Sequence, residues 1–299
     1  MSGAPTAVSP HAGRSRLRAA LAACALALAG TACLATTPGA AKAATVPTPD
    51  HTVVVVFENH SYSQVVGTSG APYITSLANG GANLTQSYAL THPSQPNYFD
   101  LFSGATQGVT DDTCPPPGSP YSTANLASEL QTAGRTWASY NEGLPSQGST
   151  TCSNSTGKYA RKHNPWFSFS NVPASSGYTF AQFPTDYTTL PNVSFVIPNL
   201  CNDMHDCSVS TGDTWLKNNL DAYAQWATTH NSLLVVTFDE DNGLSGNRIA
   251  TIFYGAHVKP GAYVTKYTHF NVLRTLEDMN GTTHAGSAAT ATPIAEIWQ

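Results

Sequence analysis

Apolar residues in this chain gather in short β-branched runs separated by long polar stretches. Residues 53–57 read Val-Val-Val-Val-Phe with no polar position to face water, which predicts a strand covered on both faces. Residues 193–197, 233–238 and 249–254 share that character, 135–140 reads as a shorter strand, and 83–88 alternates like a half-buried one. Elsewhere the apolar spacing lengthens. Residues 72–80, 97–104 and 125–134 read as helices stopped by Gly80, Gly104 and Gly134. Trp215, Leu216, Leu220, Tyr223, Trp226 and Ala227 recur at helical spacing over 214–230, with Asp213 placed to cap that helix. Residues 270–280 make a last helix before Gly281, and 282–292 are small, polar and expected to be loose. Residues 141–190 are loop-rich. Buried strands alternating with helices predict one α/β domain over 51–299, its central sheet mostly parallel and flanked by helices.

One apolar run does not fit this scheme. Residues 19–30 follow Arg14, Arg16 and Arg18 and precede Ala41-Lys42-Ala43, a small-residue cleavage pattern. The run is too short to span a membrane and reads as part of an export signal over 1–43, with 44–50 as a linker. Cys33 raises lipid attachment as an alternative, but Gly30 stands where such sites take Leu, so release into the extracellular space is expected.

Composition narrows the function classes. The 299-residue chain is 41% hydrophobic and only 10% charged, against a usual quarter. The signal holds four of the 13 Lys and Arg and none of the 18 acids, so its loss takes the formal charge from −5 to −9. A chain this acidic is a poor general binder of nucleic acid or anionic membrane. No stripe of aromatics suggests membrane contact, no stable insertion is expected, and a monomer is. An activity on phosphates would need the repulsion reversed locally, most simply by a metal ion. Outside the signal stand Cys114, Cys152, Cys201 and Cys207. An even count in an exported chain implies disulfides, and of three connectivities sequence proximity favours Cys114 with Cys152 and Cys201 with Cys207.

The chemistry collects where strands end. In parallel sheets ligands bind beyond the carboxyl ends. Here 53–57 runs into Glu58-Asn59-His60, 193–197 leads to Asn202-Asp203-Met204-His205-Asp206, and 233–238 runs into Asp239-Glu240-Asp241-Asn242. Crowded carboxylates repel one another unless a cation sits between them, and carboxylate, amide and imidazole suit a hard or borderline divalent ion. Thr91-His92-Pro93-Ser94-Gln95-Pro96-Asn97-Tyr98 sets one hydroxyl between two prolines. The prolines fix their own φ and push their neighbours toward extended geometry, so Ser94 is expected on a stiff turn just before a helix N-terminus, where an anion is stabilised.

Together Glu58-Asn59-His60, Thr91 to Tyr98, Asn202-Asp203-Met204-His205, Thr237-Phe238-Asp239-Glu240-Asp241 and Tyr267-Thr268-His269 with the helix up to Asp278 resemble the bacterial phosphoesterase family of secreted acid phosphatases and non-haemolytic phospholipases C. The short actinobacterial acid phosphatases are the most similar. The likeness runs in order over about 51–280. It implies an alkaline phosphatase-like fold and a metal-activated serine that is transiently phosphorylated. Carried over, Ser94 is the nucleophile and Asn97 the amide on a phosphoryl oxygen. Glu58, Asn59, Asp239 and Glu240, with Ser94, hold a divalent metal. Asp203, His205 and His269 occupy the order of second-site ligands. The two-metal members have His where Glu240 stands and Asp-x-x-x-His where this chain has Asp203-Met204-His205. A second metal is thus left open, and Asp203, His205 or His269 would instead touch phosphate or protonate the leaving group. Arg161, Lys162 and His163 are expected to reach substrate phosphate across the mouth.

The expected function is metal-dependent hydrolysis of small phosphomonoesters at acid pH, lipid headgroups included by resemblance. A diesterase or phospholipase C on the same core is the alternative, disfavoured by the short chain. A serine hydrolase lacks its G-x-S-x-G elbow and leaves Glu58, Asn59 and Glu240 idle. A non-catalytic binding module would show no metal dependence.

Overall fold

The structure is a computed structural model that describes residues 46–299; the export signal expected over 1–43 lies outside the described residues. In chain order these form β1 (His51–Phe57), α1 (Tyr62–Val65), α2 (Pro72–Gly80), β2 (Ala82–Leu84), β3 (Ser87–Tyr88), α3 (Ser94–Ser103), α4 (Leu126–Thr132), β4 (Trp137–Asn141), β5 (Gly177–Thr179), β6 (Val193–Ile197), α5 (Val209–Ala227), β7 (Ser232–Phe238), β8 (Arg248–Ile249), β9 (Thr251–Gly255), β10 (Gly261–Tyr263), β11 (Tyr267–Thr268) and α6 (His269–Asn280). Eight strands make one sheet in the order β10-β2-β9-β7-β1-β6-β4-β5. Neighbours run parallel except at β9, which is antiparallel to β7 and β2.

The uninterrupted Val run of β1 is explained by its central place. Val54 and Val56 pack on one side with Phe102, Leu126, Leu130 and Leu273 of α3, α4 and α6. Val53, Val55 and Phe57 pack on the other with Ile74, Leu216, Leu220 and Tyr223 of α2 and α5. Alternate side chains of a strand point to opposite faces, so a strand helix-covered on both sides needs apolar residues at every position. Each such side chain contributes roughly 1.5–3 kcal/mol of burial.

Several expectations are corrected. Residues 83–88 are not one strand: β2 belongs to the large sheet and β3 to a small one of order β11-β3-β8. The switch occurs at Thr85 and Gln86, whose backbones bond Tyr263 and Tyr267, and alternation alone cannot register a change of partner. The stretch 249–254 divides likewise, at Ala250, between β8 and β9. The helix expected over 214–230 starts at Val209 with Ser208 as its cap. Asp213 lies inside it, buried, and accepts the Tyr73 and Ile74 N–H groups at 3.1 and 2.8 Å, so it caps α2 instead. The 282–292 segment is not loose. Ala285 and Ala288 are buried, Ser287 donates to the Gly104 carbonyl, and Glu277 accepts the Ala285 N–H.

Of residues 44–50, those described lie against the domain. The Asp50 N–H donates to Asn231, and Val46 packs on the core. The cysteines pair as Cys114–Cys152 and Cys201–Cys207.

Candidate active site

Ser94 is not on a turn ahead of the helix but inside its first turn. It is the first residue of α3 and 1% exposed. A helix leaves its first four N–H groups without intrahelical partners, so Pro93 at the cap and Pro96 in the first turn cost no hydrogen bond and the helix reaches back to Ser94. Tyr98, one turn further on, then shares the face of Ser94. The Ser94 hydroxyl donates to Glu58 Oε2 at 2.9 Å and lies 3.4 Å from Glu240 Oε1. Tyr98 donates to Glu58 Oε1 at 2.6 Å.

Glu58 follows β1, Asp239 and Glu240 follow β7, and Asp203 lies in the loop after β6 that Cys201–Cys207 closes. All four carboxylates are buried. Burial raises Glu58 well above the carboxylate range, and Asp239 and Asp203 push it the same way. Asp239 is pushed up to about 8 by burial and then by Glu240, and Asp203 to about 8 by burial. Burial and Asp112 raise Glu240 to about 7.

His163 is the residue whose place differs most from expectation. It does not stand at the mouth. Its ring is 1% exposed, stacked on Tyr98 and wedged between Glu58 Oε1 at 3.2 Å and Asp203 Oδ2 at 3.4 Å. Burial, then Lys162 and His205, hold it well below the usual imidazole range. Ligand atoms of Glu58, His163 and Asp203 all lie within 4.8 Å of one another.

Among the described residues, four buried atoms at this site lack a partner in hydrogen-bonding geometry: Asp203 Oδ2, Asp239 Oδ2, His269 Nδ1 and His163 Nε2, the last although Glu58 Oε1 is 3.2 Å away. His269 Nε2 lies 2.6 Å from the Asp239 carbonyl, which can only accept, so the proton sits on Nε2 and Nδ1 offers a lone pair. Burial takes this imidazole down to about 4. Unpaired buried donors of lone pairs among crowded carboxylates fit a divalent cation.

The other residues singled out in the sequence lie in different settings. Asn59 enters through its backbone, donating to Asp239 Oδ1 at 3.1 Å. Asn97 is occupied: Oδ1 accepts the Leu90 and Thr91 N–H groups, and Nδ2 faces the Thr91 and Pro93 carbonyls and Glu240. It shapes the Ser94 turn. His205 stands at the rim with Nδ1 2.9 Å from Asp206, and its backbone donates to Asp203. Lys162 pairs with Asp112 at 2.7 Å; burial opposes its charge, but this hydrogen bond and the Glu58 and Asp239 fields hold its pKa above the ordinary value. Arg161 does not face the site. Its guanidinium donates to the Thr150 and Phe167 carbonyls and ties loops together.

Three residues were missed. His92 is exposed, with Nδ1 2.8 Å from Glu240 Oε2, and its place two residues before Ser94 was a usable signal. Tyr98 could be found once the helix start was known. Asp112, which accepts the Gln95 N–H and pairs with Lys162, carried no sequence signal.

A family model described as the phosphoesterase family matches residues 68–282. The chain belongs to the phosphoesterase family. It is thus an enzyme of phosphoester hydrolysis. It is 53% identical over 86% of its length to a phosphatidylinositol-3-phosphatase of Mycobacterium tuberculosis, 85% of which is covered. A probable acid phosphatase of Kluyveromyces lactis is 30% identical over 75% of the chain, which spans 56% of that protein. Among solved structures, a protein in the alkaline phosphatase superfamily from Vibrio parahaemolyticus superposes with a TM-score of 0.56 at 12% identity, covering 80% of this chain and 68% of that one. That likeness shows the fold, which is alkaline phosphatase-like.

Proposed function

We propose that this phosphoesterase is an exported, metal-dependent phosphomonoesterase that works in the acid range through a phosphoserine on Ser94, with phosphoinositide headgroups among its substrates. The observation that carries it is the Ser94 hydroxyl, 2.9 Å from Glu58 at the start of α3, inside a nest of four buried carboxylates. The names of the mycobacterial and fungal relatives support the substrate class and the acid range. The two disulfides support an oxidising compartment.

Glu58, Asp203 and His163 would hold the ion, with Asp239, Glu240 and the Ser94 oxygen beside them. Bound there, it supplies Lewis acidity that lowers the pKa of the serine hydroxyl and offsets phosphoryl charge. The chain's own residues do the rest. Asn97 and the two prolines hold the turn, so that Ser94 meets phosphorus with little reorganisation. Its proton leaves along the hydrogen bond to Glu58 as the new P–O bond forms and the ester bond opposite breaks. The Ser94 N–H stabilises a phosphoryl oxygen, since Gln95 gives its N–H to Asp112 and Pro96 has none, and Lys162 adds positive charge at the rim. His205, held by Asp206, gives a proton to the leaving alkoxide. Water then cleaves phosphoserine. His269 is bound to the Asp239 carbonyl and neutral, and takes no part as an acid here.

The test compares an aryl phosphomonoester with its matched diester near pH 5–7, using wild type, chelated wild type and Ser94→Ala. Monoester cleavage lost on chelation and in the variant is expected. Preferred cleavage of the diester would move the protein to the phospholipase side, and an active Ser94→Ala would overturn the mechanism.

A further inference from the structure

Among the described residues, the large apolar side chains open to solvent are Leu90 at 38%, Val264 at 77% and Leu244 at 85%. All three leave the body at the sheet edge that carries Ser94. Leu90 follows β3 and precedes Ser94 by one turn of chain. Leu244 lies in the loop that Asp239 and Glu240 begin after β7. Val264 follows β10, which runs with β2 and so, across antiparallel β9, in the same direction as β7.

These loops form one rim. The Asn247 carbonyl accepts the Ala89 N–H at 2.9 Å and its side chain donates to the Thr91 carbonyl at 2.8 Å, joining the Leu244 loop to the Leu90 loop. Strand β11, just beyond Val264, pairs with β3, just before Leu90. The exposure of Leu244 is built in. Buried Asp241 accepts the N–H groups of Gly243, Ser245 and Asn247 at 2.6, 2.8 and 2.9 Å, pinning the base of the loop while its apolar tip stays in water. Two cations lie on the same loops: Lys266 lies 4.8 Å over the Tyr88 ring, and Arg248, which donates to the Thr85 carbonyl at 2.7 Å, lies 4.3 Å over the Tyr62 ring.

A soluble phosphate ester has no use for a leucine and a valine held in water around the mouth. A bilayer carrying anionic headgroups uses both features, since apolar tips enter the headgroup–acyl boundary and cations meet lipid phosphates. The acidity of the whole chain opposes long-range attraction to such a surface. Contact therefore depends on these few groups within a Debye length. We infer that the rim of Leu90, Leu244 and Val264, with Lys266 and Arg248, docks on a membrane bearing phosphorylated headgroups and holds the mouth against it; this rests on the phosphatase reading above.

The test uses phosphatidylcholine vesicles containing phosphatidylinositol 3-phosphate, and the water-soluble dibutanoyl form of the same phospholipid. Wild type and L244S/V264S are compared for pelleting with the vesicles and for phosphate release from each substrate. Pelleting and vesicle hydrolysis should fall at least about tenfold in the variant, with soluble-substrate hydrolysis unchanged within about twofold. Equal pelleting and vesicle hydrolysis by the two proteins would overturn the docking surface, and so would an equal loss on vesicles and soluble substrate. A wild type that pellets but hydrolyses neither form would sink the phosphatase reading and leave the docking surface standing.

Discussion

Ser94 Oγ and Glu58 Oε2 lie 2.9 Å apart across 36 residues of sequence. The contact exists because β1 ends at the centre of the sheet and α3 begins beside it, and both side chains are buried there. A hydroxyl that donates to a carboxylate in a water-poor setting is held in one orientation before substrate arrives. From this relationship and its neighbours four outcomes follow.

Ser94→Ala removes the attacking oxygen and leaves Glu58 Oε2 without its donor. Turnover of an aryl phosphomonoester should fall by roughly three orders of magnitude or more. Thermal unfolding should move by only a few degrees, since the change in volume is small. A stable variant with more than a tenth of wild-type turnover would remove Ser94 from the reaction.

Metal removal should make stability depend on pH in a defined direction. In the chelated protein Asp203 and Asp239 sit near 8 and Glu240 near 7, whereas unfolded carboxylates titrate near 4. Folding then takes up protons, so the protonated carboxyls keep their full contribution below about pH 4 and lose it as pH rises through 7–8. The slope is about 1.4 kcal/mol per pH unit for each proton taken up. The gap in melting temperature between chelated and Mn²⁺-supplemented protein should widen from pH 5 to pH 8. A constant gap would argue against a cation among these carboxylates.

His163→Ala should weaken divalent-ion binding by more than the roughly 10- to 100-fold that losing a residue behind a ligand costs, read by calorimetry on the substrate-free protein. If His163 instead reached substrate from the mouth, as its position in a basic tripeptide suggested, KM would rise and ion affinity would stay. The two readouts separate the two roles.

Asp213→Ala should cost about 1–2 kcal/mol in denaturant unfolding, because two N–H groups at the start of α2 lose a charged acceptor. Turnover at low denaturant should hold within about twofold. Loss of activity without loss of stability would mean that Asp213 does something other than cap.

Much of this molecule was legible in one dimension. The Val53 to Phe57 run announced a strand covered on both sides, and a β-branched run has few other ways to be soluble. The strand ends announced carboxylates at one edge, because parallel strands deliver whatever follows them to the same side. Glu58, Asp203, Asp239, Glu240 and Ser94 do meet there. The fate of each polar side chain was decided only by tertiary structure. Arg161, Lys162 and His163 are consecutive, yet in a tight 3-10 turn they point to loop carbonyls, to Asp112 at the rim and into the carboxylate nest. Asp213 looked like the cap of its own helix and caps another, since capping needs only a free N–H within reach, from whatever part of the chain supplies it. Periodicity reports which residues are buried. Which partner each buried polar atom finds depends on elements far away in sequence, and only their packing settles it.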